Sequence, residues 1–326
     1  MASSKAIIRL ATLEDCDQII QIDKDGEIYD GLDYVPYWIR PLTQDKASHG
    51  FVTEIDGKIV CYRNVYVLQG GRKAISMSAR TLPQYRGQGL YYNMVEHAKP
   101  VMIEKFPKLS TVLYTSNHAE LPANIENLVI IENYFTQQTP AEALRNNLNN
   151  QRWNDSGRSS VILSPDAAVD LLTNDGIRKK FFDQKYINAY ILWWPISPTE
   201  GAMRELALRH TVAASFEGVM TSPPNIPQEV TAISFSDITK GISKICLDVF
   251  FHGDDVNLLK SHIVTQIKQA LTVVRNEEFG IKLHFPMSMS QHRSAIDSFL
   301  KEAFNSPSTW GLRRYIIGGE NPFSKL

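Results

Sequence analysis

Two glycines and an arginine stand where a strand-like segment meets an apolar, helix-patterned run. They belong to QYRGQG, residues 84–89, which leads into LYYNMVEHAKPVM. The first N–H groups of a helix have no partner within the helix and carry partial positive charge, and glycine allows a close backbone approach. An anion such as phosphate therefore binds well at this point. The alternative is a strand-to-helix turn that needs glycine only for its dihedral angles.

Two other phosphate-binding patterns do not fit this stretch. A Walker loop would end in Gly-Lys-Ser or Gly-Lys-Thr, which is not found here. The dinucleotide fingerprint requires a third glycine at the position that Tyr92 occupies. The remaining match is Gln-x-x-Gly-x-Gly, in which Arg86 adds a positive charge beside the first glycine.

The segments around the glycines alternate between strand and helix patterns. Residues 6–11 are mostly apolar and predict a strand, and Thr12 with Asp15 forms a capping-box pair that begins a helix. The Asp-Gly dipeptide at 56–57 joins two β-prone runs, which is typical of a tight hairpin. AISMSARTL before the glycines and LSTVLYTSN after the helix predict two more strands. The order β-α-β-β-β-α-β indicates a mixed α/β (α+β) sheet with a parallel βαβ unit at its end.

A polar stretch at residues 141–160 separates the two halves of the chain. We expect a first domain at 1–145, a linker at 146–160 and a second α/β domain at 161–326. In the second domain, KICLDVFF and IKLHFPM predict strands on either side of the long helical run DVNLLKSHIVTQIKQALTVV. This order repeats that of the first half. The second domain is therefore either a structural or pocket-completing addition or a degenerate copy of the first.

Composition limits the classes of partner and compartment. The 326 residues carry a formal net charge of -1, so no strong global field attracts nucleic acid or an anionic membrane. The three cysteines, Cys16, Cys61 and Cys246, are odd in number and far apart, which argues against a disulfide framework and a closed zinc site. The start lacks the apolar core of a signal peptide, and no segment is apolar enough to span a bilayer. We expect a cytoplasmic protein without a metal, nucleic acid or membrane partner.

The motif-bearing segments resemble a known superfamily. ARTLPQYRGQGL is similar to the acetyl-CoA motif of the GNAT acetyltransferases, and IIRLATLEDCDQIIQI and the Asp-Gly hairpin resemble elements that precede it in that fold. This resemblance covers roughly residues 6–136 and implies a GNAT fold in the first half. More narrowly, GLDYVPYWI, RTLPQYRGQGLYYNMVEHAKP and ELPANIENL resemble the histidine N-acetyltransferases, which acetylate the α-amine of free histidine.

The resemblance implies a cofactor site for acetyl-CoA. Backbone N–H groups from Arg86 to Leu90 would hold the pyrophosphate, and the strand edge would hydrogen-bond the pantetheine amides. The implied cofactor contacts are Thr81, Leu82, Gln84, Arg86, Gly87, Gln88, Gly89, Leu90 and Asn117. The superfamily places a Tyr before a Gly-Phe pair after this Asn, whereas Tyr134 here precedes Phe135 with no glycine between them.

Acetyl transfer from a thioester to an amine requires few catalytic groups. A base must take a proton from the amine, an N–H group must stabilise the thioester oxygen, and an acid must protonate the thiolate. Tyr134 is the candidate acid. The candidate bases are Glu54 and His118, whose alternatives are a solvated strand carboxylate and a structural histidine. His97 is a weaker candidate of the same kind.

An amino-acid acceptor needs a cation for its carboxylate and partners for its side chain. Arg80, on the strand that enters the cofactor motif, is the candidate for the carboxylate; its alternative is a surface ion pair. The segment GLDYVPYW offers four side chains that could bind an imidazole by hydrogen bonding and stacking. They are Asp33, Tyr34, Tyr37 and Trp38. The alternative for this segment is a packed aromatic loop.

The second half has no corresponding glycine motif. At the equivalent point it has HGDD, residues 252–255, whose carboxylates would repel phosphate and suit a helix N-cap. We therefore expect one acetyl-CoA site, in the first half, and acetylation of a small-molecule amino acid, with histidine first. The alternatives are a protein or peptide N-acetyltransferase and a non-catalytic acyl-CoA-binding module.

Overall fold

The computed structural model describes residues 6–24, 33–113, 126–150, 160–183, 187–188, 195–196, 198–217, 229–241, 245–275, 278–304 and 309–319. The chain divides into two compact units. The first unit contains Met1–Val129, Lys240–Ser243 and Ile316–Leu326, and the second contains Ile130–Thr239 and Lys244–Tyr315. None of the helices in the described ranges combines the length and apolar character needed to cross a bilayer.

The first unit has a five-stranded sheet with helices α1 (Cys16–Gln21), α2 (Val35–Gln44) and α3 (Leu90–Lys105). Its strands are β1 (Ile7–Leu10), β2 (Ser48–Ile55), β3 (Lys58–Leu68), β4 (Lys73–Thr81) and β5 (Thr111–Leu113). They lie in the order β1-β2-β3-β4-β5. The first four pair antiparallel, whereas β4 and β5 pair parallel, with α3 as the crossover between them. The predicted mixed sheet with a terminal βαβ unit is confirmed.

The capping box and the hairpin turn that the sequence predicted are both present in the structure. The Asp15 carboxylate accepts a hydrogen bond of 2.7 Å from the Thr12 N–H, which is half of a capping box. Asp56 and Gly57 have φ of 51° and 76°, the left-handed conformations that a two-residue hairpin needs.

Helix α3 packs one apolar stripe on one face of the sheet. The stripe recurs every four residues, so its side chains lie above one another along the helix. It consists of Met94, Ala98 and Met102, which join alternate β3 residues in one buried cluster. Those β3 residues are Cys61, Val65 and Val67. This packing fixes the start of α3 beside the end of β4.

Helix α2 forms where the sequence predicted a connecting loop. It begins at Val35, so most of the aromatic segment is helical. Pro36 lies in its first turn, where the missing N–H leaves no bond unmade. Pro41 lies inside the helix, a position where proline usually breaks a helix, so the sequence favoured a loop here.

Strand β4 contains one extra residue relative to β3. Tyr62 is opposite Arg80, but Asn64 is opposite Met77, so two steps along β3 match three along β4. Ser78 within this bulge has a φ of 58°. A bulge bends its strand and redirects the side chains around it.

The second unit has a seven-stranded sheet. Its strands are β6 (Glu126–Pro140), β7 (Ser160–Ile162), β10 (Thr211–Phe216), β11 (Val230–Lys240), β12 (Ile245–His252), β13 (Glu278–Phe285) and β14 (Thr309–Gly319). Two short strands, β8 (Ile187–Asn188) and β9 (Pro195–Ile196), pair separately. The helices are α4 (Ala141–Asn150), α5 (Pro165–Thr173), α6 (Asp175–Phe181), α7 (Glu200–Arg209), α8 (Val256–Ala270) and α9 (Arg293–Phe304).

The second sheet repeats the strand order of the first and then extends it. The order β7-β10-β11-β12-β13 matches β1-β2-β3-β4-β5, and β12 pairs parallel with β13 across the crossover helix α8. Beyond β13 the sheet continues with β6, which pairs antiparallel, and then β14. The sequence-based domain limit at residue 145 differs from this division, because most of β6 and all of α4 group with the second unit.

Candidate active site

The glycine stretch forms an open turn at the N-terminus of α3. Pro83–Tyr85 make one short helical turn, and Gly89 is the N-cap of α3. Gly87 and Gly89 have φ of 75° and 74°, a region that side chains rarely adopt. A Cβ added to either glycine would meet no atom within 4 Å. The glycines are therefore required by the backbone conformation, and the space beside them is open.

The backbone N–H groups at this turn are available to a ligand. The Arg86 N–H bonds to the Pro83 carbonyl at 3.2 Å, and the Asn93 N–H bonds to the Gly89 carbonyl at 3.0 Å. Between them, the N–H groups of residues 87–92 have no acceptor among the described residues. Helix α3 spans 16 residues, so its dipole adds partial positive charge here. This arrangement suits a phosphate group.

Side chains of the motif brace the turn. Arg86 Nε donates to the Thr81 carbonyl at 3.1 Å, and Gln88 Nε2 donates to the Gln84 carbonyl at 3.0 Å. The Leu82 N–H bonds to the β3 carbonyl of Val60 at 2.9 Å, so it faces β3. Five of the predicted cofactor residues thus take part in bonds that hold the turn in shape.

Arg80 and Asp33, both predicted to bind the acceptor, bind each other. Arg80 donates from both terminal nitrogens to the two Asp33 oxygens, at 2.8 and 2.9 Å. Both side chains are fully buried. Asp33 also accepts from the Val35 N–H at 3.1 Å. The alternative of an ion pair for Arg80 is therefore present in the structure, although it is buried rather than on the surface.

Tyr34 extends the link between the start of α2 and the bulge of β4. Its hydroxyl lies 2.9 Å from Ser78 Oγ, and both groups are buried. Tyr37 is 43% exposed and Trp38 is half-buried. Asp33 and Tyr34 therefore hold the bulge, and Tyr37 is the more accessible of the two remaining candidates.

The carboxylate of Glu54 belongs to an ion-pair network on the first strands. Arg9 donates to Glu54 Oε2 at 2.9 Å and to Asp15 Oδ2 at 2.7 Å. The hydrogen bond from Arg9 lowers the pKa of Asp15, and Asp15 in turn raises the pKa of Arg9. Glu54 is thus engaged in an ion pair, whereas the alternative in the sequence analysis was a solvated strand carboxylate.

The remaining candidate residues lie on α3, on β6 or outside the described residues. His97 is exposed on α3. Tyr134 lies on β6, opposite His284 in the register of the second sheet. Asn117 and His118 fall outside the described residues.

Two buried residues of β3 were missed by the sequence analysis. Tyr62 lies opposite Arg80, and burial raises the pKa of its hydroxyl. Arg63, on the other face of β3, is 5% exposed and lies near the first turn of α3. A strand arginine in an otherwise apolar run, CYRNVYV, was the available signal for the second residue.

Solved structures with the same fold cover nearly the whole chain. A tandem GNAT protein from the clavulanic acid biosynthesis pathway has a TM-score of 0.53 and 10% identity, and covers 96% of this chain and 97% of its own. A glucosamine N-acetyltransferase region of a fungal multi-domain β-N-acetylglucosaminidase has a TM-score of 0.53 and 10% identity, over 98% of this chain and 38% of that one. The chain has a GNAT fold with a second GNAT-like half, so the predicted fold class is confirmed.

Curated relatives match a shorter stretch. A histidine N-acetyltransferase of Oreochromis niloticus is 27% identical over 122 residues, and one of Scomber australasicus is 25% identical over 122 residues. Each match spans 37% of this chain and 36% of the relative. No protein-family model matches the chain. The resemblance to GNAT acetyltransferases, with histidine N-acetyltransferases among the relatives, is confirmed.

Proposed function

We propose that the protein is an acetyl-CoA-dependent N-acetyltransferase that acts on the α-amine of a free amino acid, with L-histidine as the first candidate. The single observation that carries the proposal is the open turn at residues 87–92. Its unbonded N–H groups and left-handed glycines stand at the N-terminus of α3 in a GNAT fold. The pyrophosphate of acetyl-CoA is the anion proposed for this turn.

The proposed reaction is direct transfer. The neutral α-amine attacks the thioester carbon, an N–C bond forms, and the C–S bond breaks as the thiolate departs. A base takes one proton from the amine nitrogen, and an acid gives one proton to sulfur. An enzyme nucleophile is not needed for this chemistry.

We propose Tyr134 as the acid, on the strength of the superfamily resemblance. The expected effect of Tyr134→Phe is a decrease in kcat of about ten- to a thousand-fold, because one acid–base group is lost. The affinity for acetyl-CoA, measured by calorimetry, should stay unchanged. A wild-type kcat in this variant would assign Tyr134 to packing.

The choice of histidine is supported by the curated relatives and by the aromatic start of α2. Both relatives are named histidine N-acetyltransferase, and their match covers about a third of the chain. Tyr37 is exposed beside half-buried Trp38, which suits stacking against an imidazole. The buried Arg80–Asp33 pair makes a direct contact between Arg80 and the acceptor carboxylate less favourable, since Asp33 already occupies the guanidinium fork.

An assay that measures the free thiol released from acetyl-CoA, with a panel of acceptors, tests this proposal against its alternatives. The panel should contain the free L-amino acids, histidinamide, and peptides with a free N-terminus or a lysine. We expect L-histidine to give the highest kcat/KM and the product to carry the acetyl group on its α-nitrogen. Faster turnover of the peptides would favour a protein acetyltransferase. Binding of acetyl-CoA without turnover of any acceptor would favour a non-catalytic module.

A further inference from the structure

One buried charge of the first unit has no counter-charge among the residues that the structure describes. Arg63 of β3 is 5% exposed. It lies directly opposite Phe51 of β2, which belongs to the same buried cluster as Met94 of α3. Cys61 and Val65, two residues before and after Arg63, belong to that cluster as well. Strand alternation therefore places the Arg63 side chain on the face that α3 covers.

The described residues provide no anionic partner for this guanidinium. Arg63 forms no ion pair with them, and its Nε is buried without a hydrogen-bond partner. Arg63 contacts an aromatic ring: its Cζ lies 5.8 Å from the centroid of the Tyr91 ring. This contrasts with Arg80 on the same sheet, which Asp33 neutralises with two hydrogen bonds.

An unpaired buried guanidinium is unfavourable by itself. Removing a charge from water requires compensation by a counter-charge or by several hydrogen bonds. A cation–π contact supplies about 0.5–2 kcal/mol, which is small beside the desolvation of an ion. A residue of this kind is therefore expected to have an anionic partner other than the described residues.

The position of Tyr91 indicates where that partner lies. Tyr91 is the second residue of α3, and its own N–H is among those without an acceptor. Arg63 thus lies against a side chain from the first turn of the helix whose open N-terminus forms the proposed phosphate site. The helix dipole and the guanidinium would both attract an anion that binds beside this turn.

We propose that Arg63 is an anion-binding residue of this site and binds a phosphate group of the coenzyme. The proposal rests on the proposed function, because it assumes that a coenzyme A derivative is the ligand. The guanidinium carbon of Arg63 lies over the ring of Tyr91. The coenzyme carries phosphate in two places, the pyrophosphate and the phosphate on the ribose. The experiment must therefore distinguish between these two binding partners of Arg63.

Calorimetric titrations of the full chain with coenzyme A, dephospho-coenzyme A and pantetheine test this assignment. We expect Arg63→Met to weaken coenzyme A binding by about ten- to a hundred-fold, because a charged hydrogen bond is lost. Pantetheine, which has no phosphate, should bind the variant and the wild type equally. If the weakening persists with dephospho-coenzyme A, Arg63 binds the pyrophosphate. If it disappears with that ligand, Arg63 binds the ribose phosphate.

Two further variants complete the test. Arg63→Lys keeps the charge and should recover part of the affinity for coenzyme A. Arg72→Met removes an exposed arginine of the same unit and should leave all three affinities unchanged. Without ligand, Arg63→Met should melt at the wild-type temperature or above it, because it removes an uncompensated charge.

The outcomes separate this inference from the proposed function. A wild-type protein that does not bind coenzyme A would overturn both. Normal coenzyme A binding by Arg63→Met would overturn the role of Arg63 and leave the proposed function standing. A lower melting temperature of Arg63→Met without ligand, or an equal loss of pantetheine binding, would assign Arg63 to packing and overturn the inference as well.

Discussion

Arg80, a candidate for binding the acceptor, links two elements of the first unit. Its ion pair with Asp33 joins the start of α2 to β4 at the bulge that contains Ser78. Both side chains are fully buried, so each charge depends on the other. The sequence identified both residues as unusual, but it could not indicate that they are partners, since 47 residues separate them.

We predict that Arg80→Ala lowers the free energy of unfolding by about 3–5 kcal/mol, because it leaves Asp33 buried and unpaired. The double variant Arg80→Met/Asp33→Asn removes both charges and should recover much of that loss. Urea denaturation measures both effects. Arg40→Ala breaks the exposed pair with Asp17 and serves as the control, with an expected loss of about 1 kcal/mol or less. Equal losses in Arg80→Ala and Arg40→Ala would contradict the buried-pair account.

Histidines of the second unit should make its stability depend on pH. His262 lies between Ser215 Oγ at 2.9 Å and Ser234 Oγ at 2.7 Å, and burial lowers its pKa to about 3. Burial lowers the pKa of His210 to about 4. Both are therefore neutral in the folded state at pH 5, whereas an unfolded histidine, with a pKa of about 6.5, binds a proton there.

Because the unfolded state binds more protons, stability should fall as the pH decreases from about 6.5 to about 4. His262→Gln should reduce the proton uptake on unfolding at pH 5 by about one. The uptake follows from the slope of the unfolding free energy against pH. An identical slope in the variant and the wild type would show that His262 is already protonated in the folded protein.

At the scale of elements, HGDD behaves as a helix N-cap. Asp255 Oδ1 accepts from the N–H groups of Asn257 at 2.7 Å and Leu258 at 3.4 Å. The corresponding position in the first unit is Gly89, where an added Cβ would meet no atom within 4 Å. The two crossover helices α3 and α8 thus begin in opposite ways, one with open N–H groups and one with a carboxylate of the chain.

We predict that Asp255→Ala lowers the free energy of unfolding by about 1 kcal/mol, the usual effect of losing an N-cap. The exposed neighbour Asp254 provides the control, since Asp254→Ala should have a smaller effect. Neither change should alter the affinity for acetyl-CoA. A tighter binding of acetyl-CoA by Asp255→Ala, with a second molecule per chain, would mean that α8 also accepts a phosphate.

Local signals predicted most of the helices and strands in the first unit but missed α2. The capping box of Thr12 and the Asp-Gly hairpin are determined by a few neighbouring residues. Helix α2 contains Pro36 and Pro41, and its stability depends on packing that a pattern search does not include. Propensity is a weak guide where tertiary contacts decide.

The helix and strand patterns of the sequence predict the repeated strand order of the two sheets, but they do not predict where β6 lies. The order β7-β10-β11-β12-β13 follows that of the first sheet, as the helix and strand patterns suggested. Strand β6 follows the first half in sequence, yet it pairs with β13. In the register of this pair, Tyr134 lies opposite His284. Sequence patterns predict which residues form a strand, whereas pairing between strands far apart in sequence is decided by the folded chain.

Calorimetry of Gly89→Asp tests whether one acetyl-CoA binds per chain, at the open turn of the first unit. Asp at this position places a carboxylate beside the proposed pyrophosphate. The matched control is Gly70→Asp, since Gly70 also has a left-handed φ of 63° and open space, so both changes strain the backbone alike. We expect one acetyl-CoA per chain in the wild type and in Gly70→Asp, and no binding in folded Gly89→Asp. Unchanged affinity in Gly89→Asp, or two molecules per wild-type chain, would contradict the account.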